Sequence, residues 1–122
     1  MADWLAQAER AKVTRAEALA SNWTRLEIDT ILEEVRDELF PKSQITSLLD
    51  ARGCITKGIH HKTMALVGNT LIDFQISLSK SHVAFARKDL AGLILSEGIL
   101  LDEIPDANVL RETIGRWLAE NM

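Results

Sequence analysis

Three residues of this 122-residue chain have side chains suited to hydrolytic chemistry, at positions that a small sheet could bring together: His61, Ser77 and His82. Near neutral pH a histidine serves as general base or metal ligand, and a serine supplies a nucleophilic oxygen. Nearby, Asp73 and Gln75 stand two apart, so on a strand they share one face. An acid and an amide in that arrangement could hold or activate a metal at a cleft. Whether any of these groups meet depends on the register of the strands that carry them.

The stretch 62–77, KTMALVGNTLIDFQIS, alternates on both sides of Gly68-Asn69 and predicts a hairpin. A two-residue turn would place the apolar sets of its strands on opposite faces. A three-residue loop, Gly68 to Thr70, sets Ile72 opposite Leu66 and Phe74 opposite Met64, which makes one face continuously apolar. A four-residue loop from Leu78 to Ser81 then pairs Ile76 with Val83 and Phe74 with Phe85. The expected core face is Met64, Leu66, Ile72, Phe74, Ile76, Val83 and Phe85. The opposite face carries three rows: His61, Ser77 and His82; Thr63, Gln75 and Ala84; Ala65, Asp73 and Ala86. Ala65, Ala84 and Ala86 are small for a freely solvated strand face, so helices or a partner should approach there.

The chemical reading of these rows is incomplete. Zinc needs a third and usually a fourth ligand, and neither Cys54 nor Asp73 falls near the histidine row. A nuclease-like strand built on Asp73 and Gln75 needs an acid on its neighbour, and KTMALV offers none. The acids of LEEVRDELF fan around the solvated side of a helix, and those of LDEIPD suit the entrance to the last helix. There is no Gly-rich phosphate loop, CxxC or HExxH, and Cys54 reads as a structural thiol. No metal and no cofactor is expected. A small metal-dependent hydrolase or nuclease using His61, Ser77, His82, Asp73 and Gln75 is the alternative reading.

Around this segment the pattern is helical. Two capping boxes, Thr14 with Glu17 and Thr24 with Glu27, divide the N-terminal part into helices near 3–12, 14–21 and 24–40, the last ended by Pro41. Ser43 predicts a short helix closed by Gly53, and Asp89 another closed by Gly98. ILLDEI reads as a brief strand. Pro105 opens a final helix whose stripe is Val109, Leu110, Ile114, Trp117 and Leu118. The expected fold is a single α+β domain over 1–122: a helical section (1–53), a three- to four-stranded antiparallel meander (54–87) and two C-terminal helices (88–122) on one face of the sheet.

Composition narrows the function. With 47% hydrophobic residues the chain can bury a core without staples, and its single cysteine forbids an internal disulfide. A net charge of −4 with dispersed Lys and Arg disfavours nucleic acid, and a helix-turn-helix at 14–35 would present acids after Arg25. No apolar run approaches the ~18 residues of a membrane span, and the first ten residues are too charged for a signal peptide. A cytoplasmic location is expected. Trp4 near the terminus and Trp23 between helices are the type of residue enriched at interfaces. The sequence therefore predicts a small acidic, non-enzymatic, dimeric protein-binding module, an adaptor, inhibitor or chaperone-like protein. It would bind a protein partner or itself through Ala65, Ala84 and Ala86 or through Trp4 and Trp23.

Overall fold

The computed structural model describes residues 3–48, 53–61, 72–88 and 93–122. A 3-10 turn, Asp3–Leu5, leads into α1 (Ala6–Arg25) and α2 (Ile28–Leu39). Five strands follow: β1 (Ser43–Leu48), β2 (Ile55–His61), β3 (Ile72–Leu78), β4 (His82–Lys88) and β5 (Ile94–Leu100). A second 3-10 turn, Leu101–Glu103, precedes α3 (Ala107–Asn121). The strands form one antiparallel sheet in the order β1-β2-β3-β4-β5. The class is α+β, and the described residues form five strands where three or four are expected and one C-terminal helix where two are.

The N-terminal helices are two, not three. The hydroxyls of Thr14 and Thr24, expected at N-caps, instead donate back to the Arg10 and Ala20 carbonyls at 2.8 and 3.1 Å. This is how threonine behaves inside a continuous helix. α1 ends at a two-residue corner where Leu26 is fully buried and Glu27 adopts a left-handed conformation, φ 53°. Only Leu19 and Trp23, one turn apart, bury themselves from α1. Ile28, Ile31 and Leu32 do so from α2.

Two predicted helices are strands. Ser43, Ile45 and Ser47 alternate along β1 and pair with His61, Ile59 and Lys57. The run at 94–100 pairs with β4, with Gly98 beside Ala84. Both segments contain apolar residues that suit either period, and the free edges of the sheet decide in favour of strand. The sheet therefore runs from 43 to 100 rather than from 54 to 87. Of the predicted strand ILLDEI, Ile99 and Leu100 belong to β5, and the rest forms the 3-10 turn and Ile104. The expected cap at Asp89 lies outside the described residues.

The helix-side face of the sheet carries the core. Ile59, Phe74, Ile76, Leu78, Val83 and Phe85 are buried there together, beneath Trp117, Leu110, Ile114 and Leu118 of α3. Trp117 meets Phe85 edge-on, with ring centres 5.0 Å apart, and Phe74 at 6.2 Å. Asp106, the N-cap of α3, accepts from the Val109 N–H at 2.9 Å. Arg25 donates to the Pro105 carbonyl at 2.8 Å, and Arg111 bridges to Glu34 of α2 at 3.0 Å, so α3 is tied to both other helices.

The registers differ from expectation in a definite way. β3 is flanked by β2 and β4, so Phe74 pairs with Ile59 and Gln75 with Gly58, where the sequence expects Met64 and Thr63. The alternation of Ile55, Lys57 and Ile59 matches β3 as well as KTMALV does, which the sequence pattern alone does not resolve. Met64 and Leu66 lie outside the described residues. On the other side, Ile76 pairs with Phe85 and Leu78 with Val83, a shift of two residues that keeps the same faces together. The turn is tighter than expected: the Ser79 N–H donates to the His82 carbonyl at 2.9 Å around Lys80-Ser81.

Candidate binding surface

With the helices on one side, the second face of the sheet is defined by its rows. Thr56, Ser77, Ala84 and Gly98 form one, and Gly58, Gln75, Ala86 and Ser96 the next. The Thr56 and Ser77 hydroxyls share a hydrogen bond of 2.8 Å. All the helix contacts to the sheet given above lie on the other face. Burial on the second face falls across the sheet. Thr56, Gly58 and His60 of β2 are buried, Ala84 and Ala86 of β4 are half-buried, and Ile94, Ser96, Gly98 and Leu100 of β5 are exposed. The open part is thus a shallow floor of small residues bounded by two apolar side chains, Ile94 at 68% and Leu100 at 48% exposure. Leu93, just before the strand, is 62% exposed.

The predicted catalytic row does not form. His61 pairs with Ser43 at one end of β2, whereas Ser77 lies opposite Thr56, five residues away. That separation is about 16 Å at the rise of a strand. His82 starts β4 opposite Leu100, and its Nδ1 bonds with the Ser81 hydroxyl at 2.7 Å. The second pair is also divided. A bulge between Ile59 and His60 leaves Asp73 without a partner in β2, and its carboxylate accepts from the Ser43 hydroxyl at 2.6 Å, reaching across to β1. Gln75 stays between Gly58 and Ala86. Among the described residues no group of three His, Cys, Asp or Glu could hold a metal ion.

The two tryptophans part company. Trp23 is 6% exposed and belongs to the core, which removes it as a contact for a partner, while Trp4 is 79% exposed on the first turn. Ala65 lies outside the described residues. Ala84 and Ala86 sit on the second face as the sequence implies, in rows with Ser77 and Gln75 rather than with Gln75 and Asp73.

Two features escape the sequence reading. The exposed apolar rim of β5 was hidden by the assignment of 89–98 to a helix. The other feature is a groove of about 620 Å³ between α1 and the β3-β4 turn, lined by Lys12, Arg15, Leu19, Cys54, Ser79 and Lys80, among others. Its three cations form no ion pair among the described residues. The one-turn spacing of Lys12 and Arg15 was a visible signal, but the arrival of Lys80 depends on the fold.

Comparison with protein families, with curated proteins and with solved structures finds no match to this chain. No described helix is long and apolar enough to cross a membrane.

Proposed function

We propose that this chain is a non-enzymatic protein-binding module that works as a dimer and presents the Ala84/Ala86 side of its sheet to a protein partner. The observation that carries the reading is the juxtaposition of a small-residue floor with the exposed apolar side chains of Ile94 and Leu100. Apolar side chains gathered on an otherwise polar surface mark interaction sites, and small residues let an opposing backbone or helix approach closely. The hydrolytic alternative would need His61 beside Ser77 and His82, and the strand register holds them apart.

The test compares wild type with Ala84→Arg and His82→Ala in a tagged pull-down from native host lysate, read by mass spectrometry. Light scattering of each purified protein gives its mass in parallel. The reading expects a stoichiometric partner or a dimer that Ala84→Arg removes and His82→Ala leaves intact. Retention of the partner and of the native mass by Ala84→Arg would sink it.

A further inference from the structure

β5 is an edge of the sheet, paired with β4 and with no other described strand. Edge strands are normally protected by charged side chains, proline, a bulge or brevity, because their free backbone groups can template pairing with another chain. Ile94–Leu100 carries one such guard, the charge of Glu97 at its centre, and otherwise runs seven residues without lysine or proline in unbroken register with β4.

Its sequence, ILSEGIL, is close to palindromic: two apolar residues, a small one, Glu97, a small one, two apolar residues. Antiparallel strands related by a two-fold axis pair each residue with its mirror position. An axis through Glu97 sets Ile94 against the partner's Leu100, Leu95 against the partner's Ile99 and Ser96 against the partner's Gly98. Parity is kept, because Ile94 and Leu100 share the second face while the half-buried Leu95 and Ile99 share the helix side. Moving the axis to Ser96 would oppose Leu95 to the partner's Glu97, and moving it to Gly98 would oppose Ile99 to the partner's Glu97. Only the central register matches apolar with apolar on both faces.

We propose that two copies of this chain join β5 to β5 about a two-fold axis at Glu97, forming a ten-stranded antiparallel sheet with every helix on one side. This rests on the protein-binding reading above and names the partner as a second copy. It joins the two Ala84/Ala86 floors into one continuous surface. The one opposed pair that does not favour association is Glu97 with the partner's Glu97, since like charges directly across a strand pair repel. That residue keeps the association reversible and also reports the register.

The experiment mixes wild type with mass-tagged Glu97→Lys and counts dimers by native mass spectrometry. In the proposed register the mixed dimer places lysine against glutamate, and it should exceed its statistical share by about two- to five-fold. Glu97→Gln should tighten the homodimer, and Leu100→Lys, at an already exposed position, should leave monomer. Statistical mixing, dimers indifferent to Leu100→Lys, or a monomeric wild type at every concentration overturns the proposal. If wild type is monomeric yet Ala84→Arg still strips a stoichiometric partner, self-pairing falls while the binding-module reading stands.

Discussion

The Lys57 ammonium lies 2.7 Å from the Asp29 carboxylate and 5.6 Å from the centre of the Trp23 ring, so a single cation on β2 is held by both N-terminal helices. Lys57 stands on the helix side of its strand, in one row with Ile76 and Phe85. Its methylene stem can pack there while the charged head reaches the rim.

The first prediction concerns pH. Partial burial alone would raise the Asp29 carboxyl. The hydrogen bond from Lys57, the dipole of the Trp23 indole N–H, which makes no full hydrogen bond among the described residues, and the Lys57 charge outweigh that and hold it below its ordinary value of 3.8. A depressed folded pKa gives stability that is present above the unfolded pKa and lost as pH falls through the folded one. Urea unfolding from pH 6 down to about pH 3 should therefore show a shallower loss of stability for Asp29→Asn than for wild type. The difference should be modest, because the carboxylate is largely solvated. Equal slopes would show that the pair contributes nothing.

Glu27 turns the corner between α1 and α2 with φ 53°, a conformation that costs a residue with a side chain about 1–2 kcal/mol and glycine little. Its carboxylate is 3.4 Å from Arg111, but Glu34 holds the same guanidinium at 3.0 Å, so the bridge to Glu27 is dispensable. Glu27→Gly should raise the denaturation midpoint, with a net gain of roughly 0.5–1 kcal/mol. A lowered midpoint would mean that the Arg111 contact outweighs the backbone strain.

Ser43 is buried and gives its hydroxyl proton to Asp73, two strands away. Asp73→Ala should cost about 1–3 kcal/mol by leaving that hydroxyl unsatisfied, and Ser43→Ala in the same chain should recover part of the loss. Hydrogen exchange should locate the loss in β1, which pairs with β2 and with no other described strand. Simple additivity of the two substitutions would deny the coupling.

The exposed and buried tryptophans provide an internal contrast. Trp117→Ala removes the ring that covers Phe74 and Phe85 and should cost about 3–5 kcal/mol in chemical denaturation. Trp4→Ala should stay within about 0.5 kcal/mol of wild type. A large effect at Trp4 would reveal a contact made in solution, and a small one at Trp117 would mean that the core repacks easily.

Much of this architecture could be read from the chain because alternation survives a register error of two. Phe74, Ile76, Val83 and Phe85 were placed on the buried face although their partners were misassigned. The stripe of α3 was readable for a similar reason: Leu110, Ile114, Trp117 and Leu118 are buried, and only Val109 is half-exposed. What failed depended on tertiary choice. Ser43 is a good cap residue, and Thr14 and Thr24 match capping boxes, yet local caps are worth about 1 kcal/mol and yield to pairing along a whole strand edge or to a longer helix. The histidine row failed for the same reason. It needed one register among several that the pattern allowed, and the bulge at Asp73 lay beyond what any alternation can signal.

The order of the described strands follows the chain order, so each of them pairs with its neighbours in that series. A ribosome therefore releases every strand pair before it releases α3. The apolar side of the nascent sheet, with Phe74 and Phe85 at its centre, must wait for Trp117, more than thirty positions after Phe85, before its lid arrives. At ~5–20 residues per second that interval is a matter of seconds. During this time only the N-terminal helices shield that face, and the rings of Phe74 and Phe85 lack the cover of Trp117, which makes α3 the element that closes the core.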